Sequence, residues 1–395
     1  MKLNDFSENF LLLGLRINKH FNGYVDYYYG PPKLQEKVQN EKLISPNQLL
    51  EYCYNLANTI DLEDFNKQRR NFFEKTLKAI NMFLRILNGE PIKYVDQIRN
   101  LYDIEPHIYD DEYYNELSHK ADELYKGEGT LHQRIEKYAK QREIPSYKLK
   151  KMFNKALNIA RKKTYKILPN LLPENEHTEI YLVKNQIWAL YNWYKGRFIS
   201  RIELNQNIPS YWTNLFWSVC HEGYPGHHTE FAIKEDLLYE KKNYFENSIF
   251  LLYTPRSVIS EGIAEMAAQV LFDPYESYQL LLDKFCPNPK IENSVDELVK
   301  QSEIRFGFLN FERKLAYKKY MDGWDNKEIF KYAKNFKIFP EIRIKAMLNF
   351  ISDRLTAPYA FAYTGKSLIK EKYGQRPSIT EFKKLLTEQI VPSEI

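Results

Sequence analysis

One eight-residue string constrains this chain more than any other feature. His221-Glu222-Gly223-Tyr224-Pro225-Gly226-His227-His228 gathers three of the eight histidines and sets an acid beside the first. Neutral imidazole suits zinc, and a carboxylate next to such a site can act as a general base. Two histidines four apart on a helix would share a face, as in the H-E-x-x-H arrangement. Here the residue four after His221 is Pro225. On an unbroken helix a six-residue step turns through about 240°, and a seven-residue step climbs about 10.5 Å. Neither lets two imidazoles meet one ion at the usual distance of about 2.0–2.1 Å. The helix must therefore break. Tyr224-Pro225-Gly226 supplies the means: proline lacks an amide donor and clashes with the preceding turn, and glycine tolerates unusual dihedrals. A kink there can swing His227 back beside His221, with His228 as the alternative second ligand.

A zinc site that does chemistry takes three protein ligands and keeps one position open. Glu261, in Ser260-Glu261-Gly262-Ile263-Ala264-Glu265, is the candidate third ligand. It falls among Val258, Ile259, Ile263, Met266, Ala267 and Val270, where a lone carboxylate is costly without a partner. Thr254-Pro255 opens this stretch as an N-cap followed by proline at the first helical position. Glu265, one turn on, faces the same way and can accept a hydrogen bond from a ligand imidazole. Taken alone, both acids read as riding a solvated helix edge; beside the histidine cluster that reading gives way to the ligand role.

The surrounding pattern is mainly helical. Over residues 1–165, Phe10, Leu11, Leu13 and Leu15 mark one apolar face. Phe72, Phe73, Leu77, Ile80, Phe83 and Leu84 mark another at helical spacing. Breaks fall at Tyr28-Tyr29-Gly30-Pro31-Pro32 and at Lys126-Gly127-Glu128-Gly129-Thr130, the second followed by a long charged helix to about Lys163. Pro169 to Pro173 reads as a loop. Glu179–Val183 and Phe198–Leu204 read as strands, with a turn at Gly196. Helix resumes after Pro209, with Ser210 as N-cap and Tyr211, Leu215, Phe216 and Val219 leading to His221, and helices continue to about Glu388. The expectation is a mainly α chain with a small β-sheet insertion before the metal-site helix. Region 1–165 is helical and region 166–395 carries the site, as two units or one integrated domain.

Charge and cysteine usage bound the partners. Lysines and arginines number 57 against 52 acids, a mild +5. Basic runs such as Lys148-Leu149-Lys150-Lys151 and Arg161-Lys162-Lys163 read as helix faces, so no nucleic-acid partner is expected. Cys53, Cys220 and Cys286 form no pairing framework, which points to a reducing compartment. The segment Met1 to Glu8 has acids where a signal peptide would be basic and then apolar, and no apolar run nears the ~18 residues of a membrane helix. A cytoplasmic protein with no membrane partner is expected. Nothing in the sequence indicates an oligomeric state.

The string His221-Glu222-x-x-Pro225-Gly226-His227-His228 resembles the signature of the bacterial domain-of-unknown-function family 885. Glu261-Gly262-x-Ala264 resembles that family's EGWA box, with Ile263 in place of its tryptophan. Ala360-Phe361-Ala362-Tyr363-Thr364-Gly365-Lys366 resembles its A-x-x-Y-x-x-G block, with tyrosine and glycine two apart. Phe382-Lys383 stands where the family has Phe-His. The resemblance spans about residues 175–395 and the rest more loosely. It implies a helical zincin-like metalloprotein, distantly similar to the thermostable carboxypeptidases. His221, His227 and Glu261 would be its ligands and Glu222 its base.

The expected activity is hydrolysis with one zinc ion, on a peptide or a small amide. Glu222 takes a proton from the attacking water and passes it to the leaving amine. Tyr363 is the candidate oxyanion donor, and Arg354 the candidate partner of a substrate carboxylate. The strand Phe198–Leu204 can pair with an extended peptide. A non-catalytic, metal-stabilised helical protein is the competing class, but a closed structural site wants four protein ligands.

Overall fold

Amphipathic stripes build most of the molecule in this computed structural model, which describes residues 3–287 and 294–395. Met1 and Lys2, the start of the N-terminal segment read above, lie outside the described residues. Helices α1 to α8 are Asp5–Asn18, Pro32–Asn40, Pro46–Asn58, Lys67–Leu87, Tyr94–Tyr102, Asp111–Leu124, Leu131–Lys140 and Ser146–Ile167. The stripes read in the sequence are the buried faces of α1 and α4. Two expectations for this region need correction. It contains a strand, β1 (Val25–Tyr28), whose antiparallel partner is the distant β5 (Ile249–Leu251). Local periodicity cannot announce such a partner. The long charged helix after Thr130 is two helices, α7 and α8, because Pro145 sits extended (ψ 136°) at the head of α8.

The small sheet precedes the helix that bears His221, as expected. It comprises β2 (His177–Val183), β3 (Leu190–Tyr194) and β4 (Ile199–Asn205) in the order β2-β4-β3. Strand β4 runs parallel to β2 and antiparallel to β3. Pairing on both sides uses up its main-chain groups, so peptide addition along Phe198–Leu204 is ruled out. The edge strands are β2 and β3.

Helices α9 (Leu215–Glu222), α10 (His227–Lys234) and α11 (Pro255–Leu271) carry the central string and Glu261. A short 3-10 turn, Trp212–Asn214, precedes α9, so Ser210 is not its N-cap; the Ser210 carbonyl instead accepts from Ile144 N–H. Residues Pro255 to Ala267 of α11 are all buried, and this helix runs through the interior. Helices α12 to α18 follow: Pro274–Phe285, Val295–Phe308, Phe311–Tyr320, Asn326–Asn335, Glu341–Phe350, Gly365–Tyr373 and Ile379–Thr387. One apolar core joins α1 and α4 to residues beyond Phe245, so segments on both sides of residue 165 share it. A second core packs the sheet, α8, α9 and α11. Among the described residues no helix is long and apolar enough to cross a membrane.

Candidate metal centre

The helix does break at Tyr224-Pro225-Gly226. The N–H groups of Gly223 and Tyr224 both reach the Val219 carbonyl, at 2.9 and 3.2 Å, which closes α9. The Tyr224–Pro225 peptide is cis. Gly226 N–H then donates to the Cys220 carbonyl at 2.8 Å, and α10 restarts at His227. A Cβ on Gly226 would lie 2.1 Å from the His221 carbonyl oxygen and 2.3 Å from that of Cys220, so only glycine lets the chain double back so tightly. The outcome is two perpendicular imidazoles: the rings of His221 and His227 lie 4.8 Å apart at 88°.

Helix α11 brings Glu261 to the same point. Glu261 Oε2 lies 3.6 Å from His221 Nε2 and 3.8 Å from His227 Nε2. Those separations are too long for hydrogen bonds. They are short enough for donors each about 2.0–2.2 Å from one shared ion. Glu261 Oε2 is buried and has no hydrogen-bond partner among the described residues. Its other oxygen accepts from the Tyr359 hydroxyl at 2.9 Å. His227 is oriented from behind: its Nδ1 lies 3.2 Å from Ser260 Oγ, which donates to Glu230 Oε2 at 2.6 Å. Glu230 in turn accepts from Lys234 Nζ at 2.7 Å. With the serine proton committed to Glu230, Ser260 Oγ accepts from His227 Nδ1–H. That leaves a lone pair on Nε2, aimed at Glu261.

Electrostatics favour a cation at this point. Burial pushes His221 well below the usual imidazole range and His227 down to about 4, so both are neutral donors. Burial lifts the Glu222 carboxyl to about 8, with the charge of Asp26 adding and the Asn192 N–H opposing. Glu261 is driven well up by burial, and Glu265, Glu222 and Asp26 add to it against the Tyr359 hydrogen bond. Asp26 itself rises to about 6 through burial, opposed by Tyr191. Carboxyl groups crowded in a dry site raise one another, and a bound cation reverses that.

Three expected residues lie elsewhere or act differently. His228 is not a ligand: one step along α10 turns it away, and both its nitrogens are taken. Its Nδ1 lies 2.8 Å from Ser200 Oγ and its Nε2 2.7 Å from Glu176 Oε2. Glu265 is buried, not solvated, but no hydrogen bond joins it to either ligand imidazole; Ser260 holds that place at His227. Arg354 sits exposed and donates to the Ile92 carbonyl, away from the centre. Tyr363 is half-buried beside Tyr359, with ring centroids 5.9 Å apart. The charge of Glu261, then burial, pushes its hydroxyl far up.

Sequence reasoning passed over Tyr359, Asp26, Asn192 and the Ser260–Glu230–Lys234 relay. Signals existed for some. Ser260 immediately precedes Glu261, and Glu230 falls one turn after His227. Asp26 is a lone acid in the aromatic run Val25-Asp26-Tyr27-Tyr28. Asn192 had none, because strand β3 went unread; its side-chain amide donates to the Glu222 carbonyl.

No protein-family model matches the chain, and no curated protein matches it. Among solved structures, the chain is similar to a "putative lipoprotein" from Colwellia psychrerythraea, with a TM-score of 0.54 and 14% identity, over 92% of this chain and 68% of that one. It also aligns with a "putative lipoprotein of unknown function" from Shewanella oneidensis, with a TM-score of 0.47 and 10% identity, over 91% and 74% of the two chains. At this identity the Colwellia likeness is one of fold alone.

Proposed function

We propose that the chain is a metal-dependent hydrolase of amide bonds, with peptides as its substrate class and zinc as its single ion. The observation that carries this reading is the convergence of two imidazole Nε2 atoms and the unpartnered Glu261 Oε2 on one point, with Glu222 next in sequence to His221. An N, N, O donor set of this kind matches a zinc site with an open position. An ion held there supplies a water of lowered pKa and polarises the substrate carbonyl. Glu222 takes the proton of the attacking water on its carboxylate and delivers it to the leaving nitrogen. Tyr363, whose hydroxyl has no hydrogen-bond partner among the described residues, is the donor to the developing oxyanion. Tyr359 is committed to Glu261 and holds that ligand in place.

Edge strand β3, tied to Glu222 through Asn192, takes over the peptide-pairing role first given to Phe198–Leu204. The resemblance to family 885, and through it to thermostable carboxypeptidases, supports peptides over other amides. A reducing, cytoplasmic setting belongs to this reading, in which the buried Cys53 and Cys220 are free thiols.

The test joins metal analysis with one substitution. The purified protein is expected to hold one zinc per chain and to cleave members of a peptide library. Glu222→Gln should keep the zinc and lower turnover by roughly 10²–10⁴-fold. Unchanged turnover would remove Glu222 from the chemistry, and a protein that takes up no transition ion would end the proposal.

A further inference from the structure

Helix α17 crosses α11 on a glycine-to-glycine contact. A Cβ on Gly365 would fall 1.8 Å from the Val258 carbonyl oxygen and 2.8 Å from Gly262 Cα. A Cβ on Gly262 would fall 2.7 Å from the Gly365 carbonyl carbon. Beside this crossing, between α11, α13 and α17, lies a cavity of about 600 Å³. Tyr363 and Glu265 line it, and Glu265 stands one helical turn beyond Glu261. Aromatic rings also connect it to the metal centre: Trp217 lies 5.3 Å from the His221 ring and 6.0 Å from Phe306 in the cavity wall.

The charges in the wall cancel: Glu265, Asp273 and Glu303 stand against Lys366, Lys370 and Arg376. Most of them are committed or face solvent. Lys370 donates to Gln375 Oε1 at 2.9 Å, and Arg376 to the Val270 carbonyl at 2.7 Å. Asp273 caps α12 by accepting from Tyr275 N–H at 2.9 Å, and Glu303 is exposed. Glu265 and Lys366 remain. Each feels the charge of the other, but among the described residues neither forms a hydrogen bond and no close ion pair joins them. Burial drives the Glu265 carboxyl up, while Lys366, Arg313 and Lys370 pull it down. Burial drives the Lys366 ammonium down; Glu265 opposes this, and Lys370 and Arg305 add to it. The Lys366 ammonium rests 4.5 Å over the Phe306 ring. One turn beyond Glu265, Gln269 Oε1 is buried and has no hydrogen-bond partner among the described residues. The cavity thus presents a donor, Lys366, and two acceptors, Glu265 and Gln269, with no net charge between its walls. A group that both accepts and donates, and is itself neutral, satisfies all three. A charged group gains at one wall what it loses at the other.

We propose that this cavity takes the carboxamide side chain of a glutamine, so that the enzyme prefers peptides with glutamine beside the bond it cuts. The carboxamide oxygen accepts from Lys366, and its nitrogen donates to Glu265 and to Gln269 Oε1. A carboxylate in the same place would meet Glu265, and an ammonium would meet Lys366. This inference rests on the hydrolase reading above, and the experiment separates the two. Four probes are used: acetylated, amidated Ala-Xaa-Ala peptides in which Xaa is glutamine, glutamate, lysine or methionine. Both chain ends are blocked, so only the central side chain differs. Their affinities for the zinc-loaded Glu222→Gln protein are measured by calorimetry, so that binding is read without turnover.

The glutamine probe is expected to bind about 10-fold or more tightly than the methionine probe, which matches it in length, as hydrogen bonds to charged groups allow. The glutamate and lysine probes should both fall below glutamine. Two variants, each made in the Glu222→Gln background, then shift the ranking in opposite directions. Lys366→Met keeps the length and the contact with Phe306, leaves the acids in excess, and should move the preference toward the lysine probe. Glu265→Gln leaves the cations in excess and should move it toward the glutamate probe. Either variant alone reads the shift if the other does not fold. Equal binding of the four probes overturns the assignment, as does a glutamate or lysine probe that binds tightest before either substitution. A glutamine preference that either folded variant leaves unchanged overturns it as well. The expected ranking in a protein that cleaves no peptide would instead sink the hydrolase reading and leave the carboxamide site standing.

Discussion

His227 and His228 are neighbours in sequence and sit in opposite chemical worlds. His228 faces a closed network. Its two nitrogens meet Ser200 and Glu176, and Glu176 also accepts from Arg161 Nε at 2.8 Å, from Tyr165 at 2.6 Å and from Tyr224. His227 faces an open one, where Glu261 Oε2 is buried without a hydrogen-bond partner among the described residues. Buried polar atoms are nearly always paired, so the two faces have different purposes. The closed network ties the break itself, at Tyr224, and the helix that follows it, at His228, to a single carboxylate. The open cluster holds donors that no protein group completes. A break that turns His227 toward His221 and Glu261 must itself be held, and Glu176 holds it.

The largest separation of the two faces should come from the ligands. His221→Ala is expected to abolish stoichiometric zinc, read by elemental analysis, while the fold persists by circular dichroism; zinc retained at one per chain would break the contrast. Next in size is His228→Ala. It strips partners from Ser200 and Glu176 and should cost about 1–3 kcal/mol in chemical unfolding, with zinc content unchanged. Lost zinc would mean that the closed network belongs to the metal site. Ser260→Ala tests the relay behind His227. It should weaken zinc affinity by about 10–100-fold in a competition titration and barely move the unfolding midpoint.

The smallest expected effect is one of pH. Burial raises the Glu176 carboxyl, but hydrogen bonds from His228, Tyr165 and Tyr224 outweigh it and bring it from 4.5 to about 2. A pKa lower in the folded state favours folding above the unfolded value. That contribution is present in full above pH 4.5 and is lost as pH falls toward 2. Glu176→Gln should flatten this acid limb of the stability curve. An unchanged limb would place the acid sensitivity elsewhere.

What was legible in the sequence was local. Pro225 and Gly226 restrict their own dihedrals, so a break in the helix followed from them, and with it the approach of His227 to His221. Glu261 stood out because an acid in an apolar stretch is expensive wherever that stretch packs. The choice of His227 over His228 was harder, since it turns on Ser200 and Glu176, which pack against the break from β4 and from ahead of β2. Glu265 and Arg354 were misplaced for the same reason: their partners are set by tertiary packing, which has no local signature. The pairing of β1 with β5 and the edge position of β3 were illegible because short strands take their order from the sheet and not from themselves.

The glycine contact between α11 and α17 has a consequence for how the chain tolerates change. With nothing but backbone between the two helices at this crossing, a methyl group at Gly262 or Gly365 meets main-chain atoms, which cannot turn aside as a side chain does. The backbone that carries Glu261 would have to move instead.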